Sequence, residues 1–538
     1  FGSIAGYINQ GANAVALGFQ TAYSYQGANS IAVGTLSGYF QQGSESAAIG
    51  VSAGRDTQGV RSIAIGTSAG KTVQEANCVA IGFESGLCQQ SANSTSIGYF
   101  AGKTSQRRNA TAIGAAAGTL NQGSESVAVG GGAGGSGQGI KSTSIGFEAG
   151  RSAQGSGSVA IGTSAGDCLQ GSQAVALGLD AGKTSQNPFA VAVGCLSGVY
   201  RQGNGSVAIG FGSGDQNQGA NAVTIGISSA VFGQGSGSVS IGGNAGYSNQ
   251  QTQCVAIGSN AASTSQRTNS TAIGVNAAST NQLQDCTAIG SDAASYHQSQ
   301  FATAIGRQAG FISQGVSATA IGDLTGSITQ GSGSVAIGGK AGQSTQGVSA
   351  IAIGDQAGQS VQGLQSVAIG FTAGASTQGS ESVAIGPLSG ESNQDAQSVA
   401  IGYSAGQKQQ GTTSVAIGVL AGASTQGSES TAIGINAGLS TQGSQSTALG
   451  AYAGGINQGA KSTAIGYLAA QSNQEDEAVA IGSQAGVSEQ KSSSVAIGKF
   501  AGESTQGSLS IAIGSEAGRN AQEPESVAIG ISAGQSTQ

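Results

Sequence analysis

The chain of 538 residues has no tryptophan, no methionine, three prolines and one histidine; only 8% of its residues are charged and 4% aromatic. Each shortage removes a class of protein. With a single histidine, His297, in a freely varying position, a Ser-His-Asp or Cys-His catalytic pair has nothing to be built around, so no enzyme is expected. The six cysteines, Cys78, Cys88, Cys168, Cys195, Cys254 and Cys286, form no CxxC and no zinc spacing, and five of them stand where other repeats carry Ser or Thr. No metal or other cofactor is expected. The calcium-roll pattern GGxGxD does not occur, and the glycine-rich run Gly130 to Gly135 lacks the Lys and Ser or Thr of a phosphate loop. The 18 Lys and Arg are scattered and the net charge is only −7, which leaves no nucleic-acid footprint. No run of eighteen apolar residues exists to form a membrane-spanning helix. Low charge argues against a disordered chain, and the 96 glycines follow no Gly-X-Y triplet, which excludes collagen.

What the chain does have is a period. Glutamine stands at Gln10 and at every sixteenth residue through Gln538, thirty-four times, and glycine keeps the same interval from Gly2 to Gly530. Gly363 to Gln378, GLQSVAIGFTAGASTQ, is a representative copy, and its residues are called positions 1 to 16 below. A period of this length predicts an all-β fold, a parallel β-solenoid or β-roll with one 16-residue coil per repeat, in which each coil buries its surface only against its neighbours. One continuous array of about 33 coils over residues 1–538 is expected, about 160 Å long at about 4.8 Å per coil. The chain is expected to be a segment of a longer array, or to join end to end, because a solenoid edge left open pairs with other chains.

Position by position, two strands emerge. Position 5 (Val367) is β-branched in the full repeats except at Ala47, and position 7 (Ile369) is Ile, Val or Leu. Two such residues separated by one predict a short strand with Val367 and Ile369 in the core. Positions 4 and 6 (Ser366 and Ala368) never hold a long side chain, whereas a face open to water tolerates Lys, Glu or Gln. Recent duplication does not account for this, because positions 3, 9, 13 and 15 vary freely in the same repeats. Ser366 and Ala368 are therefore expected to form a flat self-association face. Gly370 marks a turn that a Cβ would forbid. Position 14 (Ser376), sometimes Phe40 or Leu120, is expected to point mostly inward. Gln378, with equivalents such as Gln234, Gln250 and Gln266, is expected to form an amide ladder along the stack and to satisfy free backbone groups at the corner.

The SVAIG motif, as at Ser158 to Gly162, Ser206 to Gly210 and Ser366 to Gly370, resembles the head repeats of YadA-like trimeric autotransporter adhesins, and similar arrays occur in viral fibre-like proteins. The resemblance extends over the whole chain but is specific in about five residues per coil; the paired Ala-Gly and the fixed Gln depart from the usual adhesin repeat. It implies a left-handed β-roll, three chains side by side, and a place outside the cell or on a cell or virion surface. Three functions follow as expectations: a self-associating fibre or adhesin whose partners are copies of itself, as a trimer, a filament or a tube; a surface module for a receptor or glycan, using the stripe of Tyr7, Tyr23 and Tyr39, which could equally pack on one another; and ice binding. The threonine rank Thr345, Thr377, Thr425, Thr441, Thr505 and Thr537 lacks a matching second rank, since position 13 holds Gln343, Ala375, Ala423, Leu439, Glu503 and Gln535.

Overall fold

The computed structural model describes residues 1–536; Thr537 and Gln538, the last members of the threonine rank and the glutamine column, lie outside the described residues. It divides into two compact units, Phe1–Asn269 and Ser270–Gln538. Each unit is a parallel β-solenoid with a sixteen-residue step. Among the described residues every regular element is a strand of two or three residues, and no helix occurs.

One coil of the second unit shows how the repeat is built. Val367–Ile369 forms the first strand and pairs in parallel with the next copy, Val367 opposite Val383, Ala368 opposite Ala384 and Ile369 opposite Ile385. Thr377–Gln378 forms the second strand, with Val361 opposite Thr377 and Gln362 opposite Gln378 on the coil before. The corners are bonded to neighbouring coils as well. Gln365 N donates to Val348 O at 2.9 Å, Gly370 N to Ile353 O at 2.8 Å, Thr372 N to Asp355 O at 2.9 Å and Gly374 N to Ser389 O at 2.9 Å. This ladder holds non-glycine residues in the left-handed region at two corners, Gln365 (φ 54°) and Thr372 (φ 51°). Such conformations cost about 1–3 kcal/mol each and persist only where the surroundings over-determine them.

Two glycines are required for different reasons. Gly370 has φ +132°, and a Cβ on it would lie 2.7 Å from the carbonyl carbon and oxygen of Gly386. Gly374 has φ +56°, and its Cβ would meet Gln378 Oε1 at 2.9 Å. Alanine stands at the equivalent of Gly374 in Ala230, at φ 46°.

The interior reverses one expectation. Ala368, Ala373 and Ser366 are fully buried and Gln378 is 1% exposed, whereas Val367 and Ile369 are only half-buried and point outward. Alanines fill the core of the coil, in clusters such as Ala336, Ala341, Ala352, Ala357, Ala368, Ala373 and Ala384. The largest fully buried side chains are glutamines. Val367 and Ile369 are thus not core residues, and Ser366 and Ala368 are not a surface face. The two sheets of a coil approach so closely that the inward position of the first strand accepts little more than a methyl, and the larger β-branched residues are placed on the opposite side of the pleat. Position 14 is corrected in the same way: Phe40, Leu120, Tyr200, Phe232 and Ile312 are all 42–50% exposed.

Candidate functional site

The glutamine column is a structural site. Gln378 Nε2 crosses the coil to donate to Val367 O at 2.8 Å, and Gln250 makes the same bond to Val239 O at 3.2 Å. Along the stack Gln234 donates to Gln250 Oε1 at 3.0 Å, Gln250 to Gln266 Oε1 at 2.9 Å and Gln362 to Gln378 Oε1 at 3.2 Å. Each amide therefore ties its own two strands together, and in runs it ties successive coils. The ladder is interrupted: Gln330, Gln346, Gln426 and Gln442, among others, keep a buried Oε1 with no protein donor.

The interruptions fall on three-residue strands, as at Gln138 and Gln218, as well as on two-residue strands, as at Gln346, and are separate from a conformational choice that the second strand makes at position 15. At Asn217, Asn249 and Asn473 that residue adopts φ 54–55° and the strand has three residues, as in Ser248–Gln250, whereas at Asn393, also at φ 54°, Gln394 forms only isolated bridges. Where it is Thr, as in Thr345 and Thr377, it stays out of the left-handed region and the strand has two residues. Asn enters the left-handed region at little cost, and a β-branched residue enters it only at a higher one, as Thr372 does at its corner. Coils of one kind stand together: Tyr25–Gln26 through Val73–Gln74 are of the short kind, and Cys88–Gln90 through Thr264–Gln266 of the long kind. Where the kinds meet, pairing falls to one residue pair, Gln74 with Gln90, Gln442 with Gln458, and Gln490 with Gln506. Polar clefts open at such changes. One of about 590 Å³ is lined by Thr441, Asn457, Asn473, Glu475, Glu489 and Lys491, one of about 410 Å³ by Val73, Gln89, Ser105 and Asn121, and one of about 400 Å³ by Thr377, Asn393 and Gln409. In the first of these Lys491 Nζ lies 3.0 Å from Glu475 Oε1 and lowers the pKa of that carboxyl.

The outward face of the first strands is different in kind. Position 7 is half-buried or exposed throughout, with Ile321, Ile385 and Ile513 at 37%, yet it never carries a polar residue. Position 5 beside it is Val, Ile or Thr in all but Ala47. Neither column carries a charge. Position 9 extends the face in places with Phe371, Tyr403 and Ile435, each 51–52% exposed.

Tyr7, Tyr23 and Tyr39 come together as the sequence places them, and they stack on one another. Ring centroids are 5.2 Å apart for Tyr7 and Tyr23 and 5.0 Å for Tyr23 and Tyr39, with planes 14° and 15° apart. The rings therefore cover each other's faces. Phe40 meets Tyr39 edge to face at 4.6 Å, and Phe40, Tyr25 and Asp56 line a cleft of about 340 Å³ next to this stack. Sequence reasoning missed that cleft, although Tyr25 and Phe40 fill positions that are usually small or polar.

The remaining sequence candidates stand apart. His297 is exposed on a second strand. Of the six cysteines, Cys78, Cys254 and Cys286 are buried, while Cys88, Cys168 and Cys195 are half-buried. Burial pushes the Cys286 thiol up to about 11. Thr345, Thr377, Thr425 and Thr441 point outward as expected. No protein-family model matches this chain, and no characterised protein matches it in sequence.

Proposed function

We propose that the chain is a structural, self-associating extracellular fibre or adhesin whose copies pack through the outward Val/Ile face of the first strands. One observation carries this reading: position 7 is aliphatic in every full coil although it lies outside the core. An outward column answerable only to water admits Lys, Glu or Gln, as positions 3, 13 and 15 of the same coils do. Val367 and Ile369, not Ser366 and Ala368, thus form the restricted outer face.

Area and geometry support a second copy as the occupant. The first unit has sixteen first strands. At about 4.8 Å per coil and about 10 Å for a three-residue strand, they present about 750 Å². That is close to the roughly 800 Å² per partner of a standard stable interface, and larger than the apolar patches common on monomers. A partner with the same coil spacing meets each outward Val/Ile pair in register along the whole face, and another copy has that spacing by construction. The resemblance to YadA-like heads favours three chains and a cell- or virion-surface location.

Sedimentation of the full chain and of the triple variant Ile353→Lys, Ile369→Lys, Ile385→Lys tests this. The parent is expected to run as a trimer or larger assembly. The variant is expected to dissociate or to assemble much more weakly, with its β circular dichroism retained, since the three side chains lie outside the core. A monomeric parent would end the proposal. Electron microscopy that counts chains in cross-section separates a trimer from a filament or a tube.

A further inference from the structure

Five aromatic residues from the first coils of the first unit meet at one corner of its second-strand sheet. Tyr7, Tyr23 and Tyr39 form the stacked column, and Tyr25 and Phe40 stand beside it, 56% and 48% exposed. Elsewhere positions 14 and 15 carry mostly Ser, Thr, Asn or other polar residues, so this corner is a local departure from the repeat.

We propose that the cleft lined by Tyr25 and Phe40 is a carbohydrate site that takes a neutral pyranose ring of an oligosaccharide. Its volume, about 340 Å³, falls at the small end of ligand sites, which span about 300–1,000 Å³. Two exposed aromatic rings offer apolar area to the C–H face of a sugar at low entropic cost, since each has only two side-chain torsions. Phe40 is held by its edge-to-face contact with Tyr39, and Tyr39 by the stack behind it. The other lining residues, Ser24, Gln41, Asp56 and Thr57, supply donors and acceptors for hydroxyl groups. Arg55 Nε donates to Asp56 Oδ1 at 2.8 Å and its terminal nitrogen to Oδ2 at 3.2 Å. The carboxylate is thus neutralised by its neighbour while its oxygens keep lone pairs to accept hydroxyl protons. A rim without net charge suits a neutral polyhydroxyl ligand better than an anionic or cationic one. The corner belongs to the second-strand sheet, so the proposal stands apart from assembly through the first-strand face.

The test is binding of the full chain to an array of neutral hexose and N-acetylhexosamine oligosaccharides, with sialylated and sulfated glycans as charged comparators. Retention of at least one neutral glycan is expected. Phe40→Ala and Tyr25→Ala should each lower its bound signal about tenfold, and Asp56→Asn several-fold. Phe232→Ala, which removes an aromatic ring from the equivalent of the Phe40 position in another coil, should change nothing. Asp56→Asn should also leave the thermal midpoint in place, which separates loss of a contact from loss of fold. Binding to no neutral glycan, binding to charged glycans alone, or equal signals from Phe40→Ala and the parent would each overturn the proposal.

Discussion

The two sheets of a coil share one interior and differ in everything they show outside. Around Val367–Ile369 the outward residues are held to a narrow set, β-branched at position 5 apart from Ala47 and aliphatic at position 7, and the pairing is regular. Around Thr377–Gln378 the outward residues range over Thr, Asn, Arg, His and Glu, and the backbone adopts two forms that meet at clefts. Inward, both sheets are equally strict. Packing inside the coil therefore explains Ala368, Ala373 and Gln378, and cannot explain Ile369. The restriction on the outer face of one sheet alone is what points to a partner.

The largest expected effect breaks the close approach of successive coils at the turn that ends the first strand. Gly370→Ala adds a Cβ 2.7 Å from Gly386 and forces alanine to φ +132°, so a loss of about 3 kcal/mol or more is expected locally. Repeat arrays need not unfold in one step, so the readout is hydrogen-exchange protection in the coils beside the substitution. Protection equal to that of the parent would show that the close approach at this turn is not required.

Next come a glutamine within the stack-wise ladder and one at a break in it. Gln250 donates to Val239 O and Gln266 Oε1 and accepts from Gln234 and from Ser240 Oγ at 2.7 Å. Gln346 donates to Val335 O and Ala350 O, while its Oε1 has no protein donor. Gln250→Leu should therefore lower the stability of its region by about 2–3 kcal/mol, and Gln346→Leu by about 1 kcal/mol less. Denaturant midpoints of the two variants decide it, and equal losses would mean that the stack-wise ladder adds nothing to the bonds across the coil.

A smaller effect is expected from the residue that selects the strand form. Asn249→Thr places a β-branched residue at φ 55° and should cost about 1 kcal/mol, whereas Thr345→Asn should be close to neutral, because Asn accepts both conformations. Thermal shifts of the pair test the asymmetry.

Thiol labelling distinguishes inside from outside with almost no energetic consequence. Cys78, Cys254 and Cys286 occupy the Ser366 position and are buried. In the folded protein at pH 8, iodoacetamide should modify Cys88, Cys168 and Cys195 and spare those three. Cys286 should remain a neutral thiol well above pH 8, since its pKa is pushed up to about 11. Rapid modification of Cys78 would return position 4 to the surface.

Much of this was legible in the residues. The unbroken period specified the coil and its parallel register, the obligatory glycine at Gly370 marked a turn that excludes Cβ, and the fixed glutamine announced an inward amide. The candidate face was half legible. A restriction to small size is the mark of limited volume, and a restriction to aliphatic character with size free among Val, Ile and Leu is the mark of a contact surface; Ala368 and Ile369 carried those two signals. The Tyr25 cleft was harder to find, because its lining residues come from three coils.

Leu169, Ala153 and Arg201 show where local sequence stops. None favours the left-handed region, yet each adopts φ 52–55° inside a block of coils that do, because pairing with the neighbouring coils fixes the strand form. The side of the pleat was settled in the same way. Alternation along Ser366, Val367, Ala368 and Ile369 determines that two residues point one way and two the other, and that division is the same whichever pair faces in. Only the closeness of the second sheet, with room for a methyl and a glutamine amide and no more, sends Ser366 and Ala368 inside and leaves Val367 and Ile369 on the surface.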